Sequence, residues 1–220
     1  MATSKTRNLI NKRILITAGP TWVAIDKVRV ISNTATGETG IILARELACL
    51  GASVTLLLGS IGVCCLGKNI RLLRFRFFDE LKNIIARELR SHKYDAVIHS
   101  AAVSDYKPAV VCSQKVKSDK KAWQLKLVPT VKIIDLVKKI DASVFLVGFK
   151  FEPEAGKNQL IKGAEGLIKR SGVDLAVANS FRKNQYQAYI ISNNRVSRRL
   201  KNKSSLAKEL VAAIRASLNR

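Results

Sequence analysis

The segment VRVISNTATGETG, at residues 28–40, carries the residues best suited to chemistry in this chain. It follows an apolar strand that ends in AGPT at residues 18–21, and it leads into an amphipathic helix. Free backbone N–H groups at the start of a helix attract an anion, and the helix dipole adds to that attraction. The segment therefore predicts a binding site for a phosphate or a carboxylate group.

The glycines of this segment are spaced differently from those of a dinucleotide-binding loop. Such a loop packs its glycines into one tight turn between a strand and a helix, whereas a long polar excursion separates Gly19 from Gly37. The second predicted strand ends in LGS at residues 58–60, without the acidic residue that would bind an adenosine ribose. An NAD(P)-binding, Rossmann-type reductase stays an alternative, but these residues do not favour it.

A second group of candidate residues lies in the loop SAAVSDYKP, residues 100–108, directly after an apolar strand. Small residues at a strand end let a ligand approach the backbone. Asp105 can bind a ribose hydroxyl or, through water, a metal ion held by phosphates; it can equally cap a helix. The lysine-rich loop that follows, residues 110–121, predicts either a lid over a polyphosphate or a solvated surface loop. Phe149 ends a later strand, where its ring can face a base or pack in the core.

The composition is typical of a folded protein with a basic surface. Of the 220 residues 47% are hydrophobic, and 39 Lys and Arg against 16 Asp and Glu give a formal net charge of +23. This charge keeps a basic nucleic-acid-associated protein open as an alternative, but the cations are spread along the chain and aromatic residues are few, so nucleic acid is not the partner we expect. No apolar run is long enough to span a membrane and the first residues lack a signal-peptide core, which predicts a cytoplasmic protein.

Strands and helices alternate along almost the whole chain. The pattern predicts strands over residues 13–17, 53–58, 72–77, 96–100, 144–149, 175–178 and 188–192, a short strand over 123–127, and helices over 39–50, 79–90, 130–140, 153–170 and 204–218. Runs of Val, Ile and Leu indicate strands covered on both faces. We therefore expect an α/β fold with a doubly wound, mostly parallel, Rossmann-like sheet in three α/β/α layers. A single domain over residues 1–220 is expected, with frayed ends at residues 1–12 and 216–220.

Seven short sequence blocks between residues 16 and 179 are informative because of the order in which they occur: ITAGPT, IDKVRVISNTATGETG, AAVSDYKP, QKVK, KIID, VGF and DLAVAN. In this order they resemble phosphopantothenate–cysteine ligase, also called phosphopantothenoylcysteine synthetase. Each block alone is modest, but the ordered set is specific, and the likeness extends from about residue 13 to residue 192. The chain looks like the bacterial form of the ligase, standing alone without the flavin-dependent decarboxylase domain that often precedes it.

The resemblance implies a reaction of coenzyme A biosynthesis. A nucleoside triphosphate activates 4′-phosphopantothenate as an acyl-nucleotidylate with release of pyrophosphate, and the amine of L-cysteine then displaces the nucleoside monophosphate. Mg²⁺ would be carried mainly by the nucleotide phosphates, with Asp105 as a candidate ligand, and no flavin is implied. The family type is a homodimer in which the segment around residues 25–31 pairs across the interface and completes the pantothenate site. A separate phosphopantothenoylcysteine decarboxylase is a further candidate partner.

The resemblance also assigns roles to single residues. Lys115 matches a lysine that contacts the nucleotide, Asn33 an asparagine placed against the acyl intermediate, and Arg29 an arginine suited to an anionic substrate group; these three form the catalytic set. The substrate-binding set is Arg29, Asn33, Gly37 and Ala102. The nucleotide-binding set is His99, Ser100, Ala101, Asp105, Lys115, Val131, Lys132, Ile133, Ile134 and Phe149. Within it, backbone atoms of residues 99–101 would lie near the base, Phe149 would line the base pocket, and the helix start at residues 131–134 would receive the pyrophosphate.

The chain departs from the family pattern at several of these positions. Val131 stands where the family usually has proline, and the two lysines expected before DLAVAN fall on Leu167 and Ser171. Two alternatives stay open: either Lys169 or Arg170 replaces them, or the nucleotide binds more weakly. The segment GFKFEPE places Lys150 and Phe151 in the wall beside the predicted base pocket, which leaves ATP open as the nucleotide, whereas the ISN and SDYKP segments favour CTP.

Overall fold

The apolar strands form one sheet with helices on both faces. The computed structural model describes residues 8–62, 66–119, 121–192 and 195–219. The strands of the main sheet are β1 (Arg13–Ala18), β4 (Ser53–Leu58), β5 (Ile70–Arg74), β6 (Ala96–His99), β9 (Phe145–Phe151), β10 (Leu175–Arg182), β11 (Gln185–Ser192) and β12 (Arg195–Val196). Their order is β12-β11-β10-β9-β6-β1-β4-β5. Neighbours are parallel except that β11 runs antiparallel to β10 and β12. The prediction of a doubly wound, mostly parallel sheet is confirmed.

The sheet packs against a layer of helices on each face, with an apolar core between the sheet and each layer. The helices are α1 (Glu38–Cys49), α2 (Phe78–Ser91), α3 (Ile133–Ile140), α4 (Lys157–Ser171) and α5 (Lys203–Leu218). Helices α1 and α5 contact each other over one face, while α3 contacts both α2 and α4 over the other. This arrangement buries both faces of the central strands, which explains why they read as continuous apolar runs.

Strand β1 marks the point where the winding of the sheet reverses. The chain passes from β1 through α1 to β4 and β5 on one side, and then returns through α2 to β6 on the other side of β1. The loops after β1 and β6 therefore leave the sheet in opposite directions, and a crevice opens between them at the carboxyl ends of the strands. The residues that the sequence singles out follow these two strands.

Two small hairpins outside the main sheet were not predicted. Strand β2 (Trp22–Ala24) pairs with β3 (Val30–Ser32), and β7 (Tyr106–Pro108) pairs with β8 (Leu127–Pro129), both antiparallel. The first hairpin folds within the polar excursion because Asp26 closes its turn, accepting the N–H groups of Val28 and Arg29 at 2.9 and 2.8 Å. The short strand predicted over residues 123–127 is in fact displaced to β8.

The predicted starts of two helices are wrong by three and four residues, because side-chain and loop contacts hold the chain extended there. Helix α3 begins at Ile133 and not at residue 130, since Thr130 binds the loop after β6 through two hydrogen bonds, its N–H to Asp105 O (2.9 Å) and its hydroxyl to Ser104 O (2.7 Å). Helix α4 begins at Lys157 and not at residue 153. Strand β9 continues to Phe151 instead.

The expectation of frayed ends is wrong for the parts of residues 1–12 and 216–220 that the structure describes. Leu9 is fully buried in the core, and its N–H donates to Leu50 O at 3.1 Å. Helix α5 continues to Leu218, and the side chain of Asn219 donates to Asn8 O at 3.4 Å. The two ends of the domain therefore pack together. Residues 1–7 and 220 lie outside the described residues.

Candidate active site

The start of helix α1 is pressed against the carboxyl end of β1. Gly37, the residue before the helix, has a φ of +69°, a left-handed conformation that favours glycine. A Cβ atom on Gly40 would lie 2.5 Å from Ala18 Cβ and 2.8 Å from Ser100 Oγ. Only glycine lets the first turn of α1 come this close to both strands, and its N–H groups then face the crevice.

Hydrogen bonds to β1 hold the loop after β6. Ser100 Oγ donates to Thr17 O at 2.7 Å, Thr17 Oγ1 lies 3.0 Å from His99 Nδ1, and the Ala101 N–H donates to Thr17 Oγ1 at 3.2 Å. Burial lowers the pKa of His99 to about 4, so its ring is neutral at physiological pH. Since the N–H groups of Ser100, Ala101 and Ala102 are bonded to β1 or its loop, these residues can reach a ligand through carbonyl oxygens and not through those donors.

The crevice joins three of the four residues assigned to the substrate. Asn33 Nδ2 donates to Ala102 O at 3.0 Å, and the same carbonyl accepts the Thr21 N–H at 3.1 Å. Gly37 lies beside Gly19, at the end of β1. Asn33, Gly37 and Ala102 therefore border one space. The asparagine side chain is exposed towards it and keeps its amide oxygen as an acceptor.

Arg29 lies elsewhere, at the tip of the β2–β3 hairpin. Along the extended strand it is about 13 Å from Asn33. Its Nε donates to Asp26 Oδ2 at 3.0 Å, its Nη2 donates to Val116 O, and its guanidinium lies 4.7 Å from the centre of the Trp123 ring. The structure thus groups Arg29 with the lysine-rich loop, described at residues 110–119 and 121, and not with Asn33. Lys115 is an exposed residue of that loop, next to Val116.

Asp105 and the start of helix α3 form a third part of the site. Lys132 Nζ lies 2.6 Å from Asp105 Oδ1. The side chains of Ile133 and Ile134 are buried, whereas Val131 is exposed, so the isoleucines anchor the first turn while its N–H groups stay at the surface. The predicted nucleotide-binding residues 105 and 131–134 are therefore neighbours, in a position where an anion can meet both Lys132 and the helix start.

Phe149 lies on the sheet face covered by α1 and α5, half-buried against the core there. Phe151, two residues on, shares that face and is exposed, so the two rings can form one wall of a pocket. The prediction that Lys150 belongs to this wall is wrong, because side chains alternate along a strand. Lys150 lies on the opposite face, near Gly163 of α4, and pairs with Glu152 at 3.0 Å.

Tyr186 is a candidate that the sequence did not suggest. It lies opposite Phe181 in the pairing of β11 with β10, and its hydroxyl is buried with no hydrogen-bond partner among the described residues. Burial raises the pKa of the Tyr186 hydroxyl well above its usual range. The side chain of Asn179 lies near enough to lower that pKa in part, and Tyr186 shares its core face with Phe149, so Tyr186 is a candidate for the wall of the same pocket. Tyrosines are so often core residues that only the tertiary structure reveals this one.

Of the two alternatives for the missing lysines, the structure does not favour their replacement by Lys169 or Arg170. Leu167 and Ser171 are buried on the side of α4 that faces the sheet. Since α4 connects parallel strands, its C-terminal end lies at the edge of the sheet opposite to the crevice. Lys169 and Arg170, in its last turn, are therefore far from the nucleotide-binding residues.

The described residues offer no group of three His, Cys, Asp or Glu that could hold a metal ion. Asp105 is a single carboxylate already paired with Lys132. A divalent cation at this site would therefore need most of its ligands from a bound substrate or from water. Among the same residues, no helix is long and apolar enough to cross a membrane.

Residues 9–218 match the family described as the DNA/pantothenate metabolism flavoprotein C-terminal domain. The chain is 39% identical, over 176 residues, to the coenzyme A biosynthesis bifunctional protein CoaBC of Thermococcus kodakarensis, covering 80% of this chain and 43% of that protein. It thus spans less than half the length of this relative. The DNA/pantothenate metabolism flavoprotein from Streptococcus pneumoniae is a structural neighbour with 26% identity and a TM-score of 0.84, covering 94% of this chain and 99% of that chain. A Cab2 mutant in complex with phosphopantothenate-cysteine shares the fold with a TM-score of 0.73 and 18% identity, covering 96% and 88%.

Proposed function

We propose that this chain, which belongs to the DNA/pantothenate metabolism flavoprotein C-terminal domain family, joins 4′-phosphopantothenate to L-cysteine. The observation that carries the proposal is the crevice at the start of α1, where Asn33 is held on Ala102 O at 3.0 Å beside the close-packed Gly37 and Gly40. The phosphopantothenate-cysteine named for the Cab2 complex and the coenzyme A role named for the Thermococcus relative agree with this chemistry.

The reaction would proceed in two steps at this crevice. An oxygen of the pantothenate carboxylate attacks the α-phosphorus of the nucleotide, and pyrophosphate leaves. The amine of cysteine then attacks the acyl carbon, loses a proton, and displaces the nucleoside monophosphate. Since both reactants of the first step are anions, positive groups and N–H donors contribute more than an acid–base pair. Asn33 suits the acyl intermediate because a neutral amide both donates and accepts.

The nucleotide would bind along the carboxyl edge of the sheet. We place the base between the loop after β6 and the pocket wall formed by Phe149 and Phe151, the ribose near Asp105, and the pyrophosphate at the start of α3. Mg²⁺ would enter on the triphosphate and neutralise part of its charge. Lys132 would exchange its bond to Asp105 for one to a phosphate oxygen, since the two side chains are exposed and free to separate. We favour CTP as the nucleotide, with ATP as the alternative.

The position of Arg29 supports a homodimeric enzyme. Arg29 is about 13 Å along the chain from Asn33, and its hairpin presents Val28 and Val30 to solvent, 62% and 37% exposed. A second copy of the chain would cover these valines and bring its own Arg29 to the crevice of the first.

The phosphopantothenoylcysteine formed by the enzyme would be used by a separate phosphopantothenoylcysteine decarboxylase.

The activity is tested by incubating the protein with phosphopantothenate, cysteine, MgCl₂ and either CTP or ATP. We expect pyrophosphate release with CTP, and a product whose mass is that of phosphopantothenoylcysteine. Without cysteine, release should stop after about one equivalent for each active site, because the acyl-nucleotidylate accumulates. No pyrophosphate with either nucleotide would refute the proposed function.

The dimer is tested by mixing two inactive variants, Asn33→Ala and Arg29→Ala. If the two residues of one site come from different chains, a mixed dimer has one intact site and one site that lacks both residues. Random exchange should then restore about a quarter of the wild-type activity. No recovery after exchange, confirmed by mixed dimers on native mass spectrometry, would place both residues of a site on the same chain.

A further inference from the structure

Asp26 is a buried carboxylate to which neither the family resemblance nor the similar proteins assign a role. It lies in the turn of the β2–β3 hairpin, 4% exposed. Its Oδ1 accepts the N–H groups of Val28 and Arg29, which closes the turn. Its Oδ2 accepts two further hydrogen bonds, from Arg29 Nε at 3.0 Å and from the Val116 N–H at 3.1 Å. The two oxygens thus have different tasks, one within the turn and one between the turn and a distant loop.

The lysine-rich loop is fastened to this turn at several points. Besides the Val116 N–H on Asp26, the Cys112 N–H donates to Ile25 O at 3.0 Å, and Arg29 Nη2 donates to Val116 O. Arg29 also lies over the ring of Trp123, which follows the loop. Lys115 lies between two of these points, at residues 112 and 116, and its side chain is exposed. The position of Lys115 therefore depends on the contacts of its neighbours and not on its own.

We propose that Asp26 is a positioning residue that couples the hairpin tip to the lysine-rich loop, so that Arg29 and Lys115 are set in place as one unit. This inference rests on the proposed function for its catalytic consequence, but the coupling itself is a property of the free chain. Asp26 orients the guanidinium of Arg29 through Nε, and the same carboxylate oxygen holds the loop beside Lys115. Loss of that oxygen releases both cations together.

The substitution Asp26→Asn separates this role from the closing of the turn. The amide keeps one oxygen for the turn, but places an N–H₂ group where Arg29 Nε and the Val116 N–H both donate. Asp119→Asn is the matched control, because it removes the same charge from an exposed residue of the lysine-rich loop. Val116→Pro cuts the link from the loop side by removing its N–H without touching the turn, and Val116→Ala controls for the lost side chain.

Trp123 reports the docking of the loop without any substrate. The chain has two tryptophans, so the experiment is done in a Trp22→Phe background. In Asp26→Asn and Val116→Pro we expect a red-shifted Trp123 emission and tryptic cleavage after Lys117 that is about tenfold faster or more, since a charge-assisted hydrogen bond is lost. Asp119→Asn and Val116→Ala should behave like the parent.

The activity readout completes the test. We expect kcat/KM for the nucleotide to fall about ten- to a hundredfold in Asp26→Asn and in Val116→Pro, and to stay within twofold in both controls. Emission and cleavage unchanged in both linking variants would overturn the coupling. A released loop with undiminished ligase activity would overturn the positioning role. A released loop in a chain whose parent shows no ligase activity would support the coupling and refute the proposed function instead.

Discussion

The close approach of α1 to β1 and β6 makes a quantitative prediction for Gly40→Ala. Carbon atoms in contact are about 3.5–4.0 Å apart, but a Cβ at residue 40 would lie 2.5 Å from Ala18 Cβ. The start of α1 would therefore have to move by about 1 Å or more. Overpacking of this kind costs about 1–3 kcal/mol, while replacing glycine by alanine in a helix contributes about 1 kcal/mol of stability. We expect a net loss of up to about 2 kcal/mol in the free energy of unfolding.

Catalysis should suffer more than stability. A displacement of about 1 Å in the groups that hold the reactants can lower a rate about a hundredfold, and the first turn of α1 borders the crevice that holds Asn33. The assay compares urea unfolding with pyrophosphate release, for Gly40→Ala and for Gly166→Ala. Gly166 lies inside α4, and a Cβ atom added there would meet nothing within 4 Å, so its substitution should raise stability by about 0.5–1 kcal/mol and leave the rate unchanged.

The comparison is decisive because the expected changes in the free energy of unfolding have opposite signs, a loss for Gly40→Ala and a gain for Gly166→Ala. If Gly40→Ala were as stabilising as Gly166→Ala and fully active, the start of α1 would not need to lie against β1 and β6. The assignment of the crevice to the phosphates or the carboxylate would then be refuted as well.

Further expectations concern single side chains. Lys115→Gln should fold normally and release no pyrophosphate even without cysteine, whereas Asn33→Asp should release the first equivalent and then turn the intermediate over slowly; equal activity of both with the parent would refute these roles. Because the folded pKa of His99, about 4, is below its unfolded value of about 6.5, the unfolded chain binds the proton first, and stability falls as the pH drops from about 6.5 towards 4. Compared with His99→Gln, the parent should lose about 2 kcal/mol more between pH 7.5 and pH 5 in urea unfolding, and parallel curves would contradict a buried neutral ring.

The central strands could be predicted from the sequence because their environment repeats along the chain. Strands β1, β4 and β6 are apolar on both faces, and the predicted bounds differ from those in the structure by at most one residue. Local patterns also indicated α1, but not which of its side chains lie against the sheet, where Leu43 and Leu47 are buried. The helix face is set by the direction in which α1 lies on the sheet, which no local pattern specifies.

The hairpins could not be predicted because their stability comes from contacts between distant residues. Each strand of β2–β3 has three residues and no alternation of apolar and polar side chains. What holds the hairpin to the rest of the chain is Asp26 on Val116 and Asn33 on Ala102, pairs separated by 90 and 69 positions. Family resemblance found Asn33 and Lys115 as single residues, but it carried no information on Asp26 as the link between Arg29 and the loop of Lys115.

The division of the site into two groups has a physical rationale. In the proposed reaction, Asn33 and Ala102 would act through short, directional hydrogen bonds on a reacting carbonyl, where small displacements matter, and they are fixed to the ends of β1 and β6. Arg29 and Lys115 would act through charge, whose effect decreases slowly with distance, so a hairpin and a loop can supply them. The hydrogen bonds that join the hairpin tip to this loop need no substrate, so the entropy of ordering them would be met before the nucleotide binds, and more of the binding energy would remain for the transition state.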